Sequence, residues 1–162
     1  MKERLATLLS RQFNHELYSA YIYLGFSHFY VRLGLSGFAH WFNMQAREEL
    51  SHAEKFMHYL EDCGEAVSFS EIPKMEHEPS KITDPLHAAL GHEKYITSMI
   101  NTLYSEAQKD DDYRTMQFLG YFIAEQAEEE KNAAALLSQV TMLGENTAGL
   151  YTLDRELAKR EF

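Results

Sequence analysis

A single cysteine, Cys63, stands in 162 residues, so neither an intrachain disulfide nor a cysteine-built metal knuckle can form. Proline is almost as scarce. It occurs only at 73, 79 and 85, leaving two long proline-free blocks on either side of one irregular segment, the layout of long helices. No stretch approaches the roughly 18 uninterrupted apolar residues that a membrane span needs, which argues against a membrane partner. The opening stretch, MKERLATLLSRQF, lacks the apolar block and small-residue cleavage site of a signal peptide, and a cytoplasmic location is expected. Basic charge is short too: 15 Lys and Arg face 25 Asp and Glu, a formal net charge of −10. Nucleic acid is repelled by such a surface.

What is abundant is apolar residues, at 45% of the chain, enough for one sizeable core and one domain spanning 1–162. Leu5, Leu9, Phe13, Leu17, Ala20, Leu24, Ser27 and Val31 recur at three and four residues, the stripe of an amphipathic helix over about 3–33. LGLSG then supplies a glycine stop at Gly34 and a cap at Ser36. A second helix is expected at about 37–63, ending at Gly64. Residues 65–82 have no helical period and form a connector. Asp84 followed by Pro85 opens a third helix at about 84–109, DDDY turns the chain, and a fourth helix occupies about 114–143. A short fifth, about 147–160, carries Leu150, Leu153 and Leu157. Helices of about 27 residues are roughly 40 Å long, and an 18-residue connector can span up to roughly 60 Å. The middle connection therefore reaches from one end of the bundle to the other, and helices two and three run parallel. The expected fold is all-α: a four-helix bundle with one long crossover and a short fifth helix.

On these boundaries Glu16, Glu49, Glu93 and Glu129 each lie near the middle of a different helix, on or beside its apolar stripe. Mid-helix residues meet at one height whichever way the helices point. A buried unpaired carboxylate costs several kcal/mol, so four converging ones must take up protons or cations. His52 sits one turn after Glu49 in REELSHAEKF, a Glu-x-x-His pair by which a bundle grips a metal. Isolated pairs of this kind are common on solvated helix faces; the matching carboxylates on three other helices give this one its weight. Four carboxylates neutralise two divalent cations, and two ferric ions joined by an oxide carry the same net charge. Carboxylate and imidazole without thiolate suit iron, manganese or zinc. Tyr23, two turns from Glu16, can hydrogen-bond a ligand or donate an electron, or simply pack in the core with its hydroxyl satisfied. Glu48, Glu125 and Glu128 form a second acidic group, read either as a satellite cation site or as a solvated charge run.

Taken together, NHELYSAYIY, FNMQAREELSHAEKF, GHEKYI and AEQAEEEK resemble the four ligand-bearing stretches of the non-haem ferritins of bacteria and archaea, in the same order and spacing. GLYTLDREL resembles their short fifth helix. The resemblance implies a ferroxidase centre in which Glu16, Glu49 and His52 hold a first iron and Glu49, Glu93 and Glu129, with Gln126 close by, hold a second. Tyr23 matches the family's tyrosine beside the site. Glu48, Glu125 and Glu128, sharing Glu129, match a third iron site. It implies ferrous iron as substrate, oxygen or hydrogen peroxide as oxidant, and a hollow shell of 24 subunits storing ferric mineral. Haem-carrying relatives have a second Glu-x-x-His in helix four where this chain has Gln126 and Glu129, so haem is not expected despite Met44 and Met57. Animal-type ferritins place acidic residues early in helix four, where this chain reads RTMQFLGYF, so their iron entry route does not carry over.

Other readings remain beside this one. Rubrerythrin-like peroxidases share the bundle but add paired cysteines. A ferritin-like shell that detoxifies iron or peroxide and protects DNA is the alternative function, opposed here by the charge. A structural bundle whose carboxylates are solvated at a subunit seam is the plainest competitor. Trp41 and the surplus of Tyr and Phe suggest more apolar surface than one thin bundle hides, and hence an oligomer.

Overall fold

A computed structural model describes residues 1–76 and 78–161. Of the expected domain, His77, in the connector, and Phe162 lie outside the described residues. Five helices follow one another: α1 (Glu3–Arg32), α2 (Ser36–Asp62), α3 (Asp84–Lys109), α4 (Tyr113–Leu143) and α5 (Thr147–Leu157). Gly34 and Gly64 take φ of +75° and +74°, the left-handed conformation that ends a helix and that glycine adopts at least cost. Asp112 caps α4 by accepting from the Thr115 N–H at 3.0 Å.

The direction of each helix follows from its contacts. Lys2 and Arg4, at the start of α1, pair with Asp110 and Glu106, at the end of α3, while Tyr30, near the end of α1, donates to the carbonyl of Ile82, just before α3. These two run antiparallel. Tyr30 also stacks on Phe38 across the short α1–α2 turn, so α2 and α3 run parallel, as expected. The connector makes this geometry by lying along α1. Ser68 and Ser70 bond to Ser10 and Asn14, Phe69 meets the edge of Phe13, and Met75 lies over Gly25, where a Cβ would sit 2.4 Å from its sulfur.

The core falls into two apolar halves. One is built from Leu5, Leu9, Phe56, Leu60, Ile100 and their neighbours; the other from Phe26, Tyr30, Phe38, Phe42, Val140 and theirs. Burying each such side chain contributes about 1.5–3 kcal/mol. Between them every long helix carries buried polar residues: Glu16 on α1, Glu49 and His52 on α2, Glu93 on α3, Gln126 and Glu129 on α4. The polar layer crosses the bundle at its middle.

Four sequence expectations change in the structure. The α1 stripe turns away from Leu24 and Val31, which are 48% and 59% exposed, and continues through Tyr23, Phe26 and Tyr30. Leu17, Leu24 and Val31 each follow a buried residue, Glu16, Tyr23 and Tyr30, by one position, about 100° around the axis, and so lie on the flank of the buried face. Ser36 is not the cap of α2: Leu35 holds that position without a side-chain bond, and Asp154 of α5 supplies the acceptor. Trp41 is buried within the subunit; the exposed large residues are others, including Tyr21, Tyr95, Tyr121 and Tyr151. Finally, α5 stops at Leu157, and residues 158–161 leave the helix and turn back toward α2.

Candidate metal centre

Glu16 projects from α1 one turn beyond Phe13, and Glu49 and His52 project from α2 two turns and one turn before Phe56, so the stripes that pack the core also aim these groups inward. One oxygen or nitrogen from each of the three lies within 4.8 Å of the others. His52 Nδ1 is 3.5 Å from Glu49 Oε2. Glu93 and Glu129 complete the layer from α3 and α4, both almost fully buried.

Each outer carboxylate is held by a neutral donor. Gln12 donates to Glu16 Oε1 at 2.8 Å, and Gln45 donates to Glu129 Oε2 at 2.7 Å. Glu93 receives the hydroxyl of Tyr23 on Oε1 and the amide of Gln126 on Oε2, the latter at 3.2 Å. These donors orient the carboxylates without neutralising them. Two buried side-chain atoms among the described residues have no hydrogen-bond partner, Glu16 Oε2 and Gln45 Oε1, and both belong to this layer. Leaving such an acceptor unsatisfied costs about 1–3 kcal/mol, so the metal-free centre is an energetically open position.

Burial dominates its electrostatics. It pushes Glu16 well above the usual carboxylate range, with the neighbouring Glu49 charge adding to the effect. Glu49 is raised in the same way, by burial and then by Glu93. Glu93 is pushed up to about 7 by burial, with the bonds from Tyr23 and Gln126 pulling the other way. Glu129 is also pushed up to about 7, by burial and then by Glu93, against the bond from Gln45. Tyr23 stays a phenol because burial and the Glu93 charge both oppose its ionisation. Like charges in a dry layer either share protons or gather cations. Oxygen and imidazole donors with no sulfur suit iron, manganese and zinc.

A second group adjoins the first through His52. Glu48, His52 and Glu125 bring donor atoms within 4.8 Å of one another, with His52 Nε2 at 3.8 Å from Glu125 Oε2. Glu128, expected with them, is exposed, and no described contact ties it to Glu48 or Glu125. Glu128 shares a face of α4 with Glu125 but lies about 60° further around the axis, on the solvent side, and the three-donor group reaches Glu125 alone of the two. Gln126 is buried and turned to Glu93 and Thr97.

Gln12 and Gln45 escaped sequence reasoning. A glutamine on a core-facing stripe four residues from a glutamate is a weak signal in a single sequence, although Gln12–Glu16 and Gln45–Glu49 both show it. Gln45 bonds across to Glu129 instead of along its own helix, and spacing along one chain does not show that.

Residues 6–143 match the model of the ferritin-like domain family. The chain is 34% identical over 162 residues to the bacterial non-heme ferritin of Staphylococcus saprophyticus, covering 100% of this chain and 97% of that one. To a probable bacterial non-heme ferritin-like protein of Haemophilus influenzae it is 34% identical over 157 residues, covering 97% and 95%. The crystal structure of an open pore ferritin from the hyperthermophilic archaeon Archaeoglobus fulgidus superposes with a TM-score of 0.97 at 32% identity, covering 99% of both chains.

Proposed function

The chain belongs to the ferritin family, and from that premise we propose that it is an iron-storage protein that oxidises Fe(II) at a di-iron centre within each subunit and keeps the ferric product inside a shell of 24 copies. The observation that carries the reading is the meeting of Glu16, Glu49 and His52, all buried, beside an unpartnered carboxylate oxygen of Glu16. Ferrous iron is the substrate. Glu16, Glu49 and His52 receive one ion; Glu49, Glu93 and Glu129 receive a second, making Glu49 the shared ligand. Gln126 steadies Glu93, and Tyr23 holds the other Glu93 oxygen. Each ferrous ion gives up one electron, and dioxygen accepts two with two protons to become hydrogen peroxide; where hydrogen peroxide is the oxidant, it accepts two electrons and two protons, its O–O bond breaks and two waters form.

What the chain supplies is position and charge. Incoming cations displace the protons that Glu93 and Glu129 carry near neutral pH, and two divalent ions cancel the four carboxylate charges. Gln12 and Gln45 hold one oxygen each of Glu16 and Glu129, and Tyr23 and Gln126 hold the two oxygens of Glu93, leaving the remaining electron pairs to the metal. Glu48 and Glu125 form the satellite acids, with Glu125 nearest to His52 and Glu128 at their exposed edge, and they affect later steps of oxidation rather than the first. The alternative of a DNA-coating shell gains no support from a net charge of −10.

Assembly is supported by surface composition. Tyr21, Leu24 and Val31 on α1 and Tyr121 and Ile123 on α4 are 40–59% exposed, and apolar groups of this kind favour contacts between copies.

Rapid mixing of metal-free protein with Fe(II) and oxygen tests the proposal. The parent shows a fast first phase of about two iron ions per subunit, two being the capacity of four carboxylates for divalent charge. Glu49→Ala abolishes that phase. Parental kinetics in Glu49→Ala would remove the centre from the mechanism.

A further inference from the structure

Arg160 lies beyond the end of α5, in the segment that turns back toward α2, and its guanidinium Nη2 is 2.8 Å from Glu48 Oε2. The same group stands over the Trp41 ring, 4.9 Å from its centroid, with Nη1 at 3.5 Å from the Trp41 carbonyl. The Arg160 carbonyl accepts from His40 Nε2 at 2.8 Å. Glu48, His52, Lys55, Tyr121 and Arg160 line a cavity of about 280 Å³. His52, 2% exposed, turns Nδ1 to Glu49 and presents Nε2 toward Glu125 at 3.8 Å, beyond hydrogen-bond distance. A buried imidazole whose Nε2 lies beyond hydrogen-bond reach of Glu125 thus faces the same cavity that the guanidinium closes from its rim.

Glu48 has two competing uses. With His52 and Glu125 it forms a three-donor group for a cation, yet its carboxylate is already paired with Arg160. We propose that Arg160 is a tethered counter-cation that occupies Glu48 until a metal ion enters, so that it sets the affinity of the satellite site. The proposal rests on the reading of the layer as a cation-binding centre. The exchange is physically accessible because both partners are partly exposed, with side chains at 22% and 28%, and ion pairs of that kind are weak. Trp41 and its carbonyl hold the guanidinium at the rim after Glu48 turns away, and the charge then stays close enough to oppose retention of the metal. Arginine suits the task because it keeps its charge at any working pH and stacks on an aromatic face.

Zinc titration calorimetry on the metal-free, assembled protein tests this. In Arg160→Gln, the weak class of zinc sites should bind about tenfold more tightly than in the parent, a change of about 1.4 kcal/mol, with the tight class unaltered. Arg160→Lys should stay close to the parent, because it keeps the charge while changing the stacking. Adding Glu125→Gln to Arg160→Gln should cancel the gain and so assign it to the satellite group. An Arg160→Gln protein whose weak class binds no tighter overturns the proposal. So does an Arg160→Lys protein that behaves like Arg160→Gln, since packing on Trp41 would then be responsible. The tight class reports separately on the centre: its persistence in Glu49→Ala overturns the reading of the centre, whereas the weak-class comparison decides the role of Arg160.

Discussion

Asp154 Oδ1 lies 2.8 Å from the backbone nitrogen of Gly37, 117 residues earlier in the chain, and 2.9 Å from that of Phe38. One carboxylate on α5 therefore caps α2, whose own N-terminal residues supply no side-chain acceptor. A carboxylate at a helix N-terminus also meets the positive end of the helix dipole. Asp154→Ala should lower stability by about 1–2 kcal/mol, the usual loss for a cap, and loosen α5; Asp154→Asn, which keeps an acceptor, should lose less. Gly37 is held to glycine by the same approach, because a Cβ there would lie 1.6 Å from the Asp154 carbonyl. Thermal melts of the three variants should rank Gly37→Ala and Asp154→Ala below Asp154→Asn. An Asp154→Ala protein as stable as the parent would make the cap irrelevant.

Glu49→Ala should separate function from stability. In the metal-free protein, burial and neighbouring carboxylates work against ionisation of Glu49, so its removal relieves desolvation and repulsion. The metal-free variant should melt at least as high as the parent. The direction with pH follows from Glu93 and Glu129, each raised from 4.5 to about 7 in the fold. Between those values the folded chain binds more protons than the unfolded one, so these groups make stability fall as pH rises from about 4.5 to 7. A redox-inert divalent ion reverses the order: at about a hundred times its dissociation constant it adds roughly 2.7 kcal/mol to the parent and less to the variant. Melts at pH 6 and 8, with and without zinc, check both statements. A metal-free Glu49→Ala protein markedly less stable than the parent would show that Glu49 is a packing residue.

Gln45→Leu should move the acid limb of ferrous oxidation. The Gln45 amide lowers the proton affinity of Glu129, which burial has raised to about 7. A leucine keeps the volume and removes the donor, so Glu129 holds its proton to higher pH. Losing one hydrogen bond to a carboxylate of this kind corresponds to about one pH unit, or roughly 1.4 kcal/mol. The variant should be slowed far more at pH 6.5 than at pH 8. An equal slowing at both values would point to distorted geometry instead of altered protonation.

His92→Gln should flatten the acid side of the stability curve. His92 packs edge-on against Tyr23, its Nε2 lies 2.7 Å from Ser19 Oγ, and burial, followed by the His15 charge, pushes it down from 6.5 to about 4. The unfolded chain takes the proton first, so the folded state loses stability as pH falls from about 6.5 and has lost the full amount below about 4. The loss is about 2–3 kcal/mol for a group mostly shielded from water. Denaturant titrations of metal-free parent and variant across that interval should differ by this slope; identical slopes would exclude His92 as its source.

Sequence alone determined the helices, their order, their parallel and antiparallel sense and the height at which Glu16, Glu49, Glu93 and Glu129 meet. These depend on interactions local to the chain: apolar spacing, glycine stops at 34 and 64, and a connector long enough to cross the bundle. Glu49 and His52 were legible for the same reason, since three residues along one helix fix their proximity. The tertiary structure decided what joins positions far apart in the chain. Gln45 selects Glu129 over the nearer Glu49, Asp154 caps α2 in place of Ser36, and Arg160 leaves the expected helix to reach Glu48. It also turned Leu24 and Val31 outward. Periodicity names the face of a helix to within a few tens of degrees, whereas a hydrogen bond needs its partner placed to within a few tenths of an ångström. Only the packing of all five helices together supplies that accuracy.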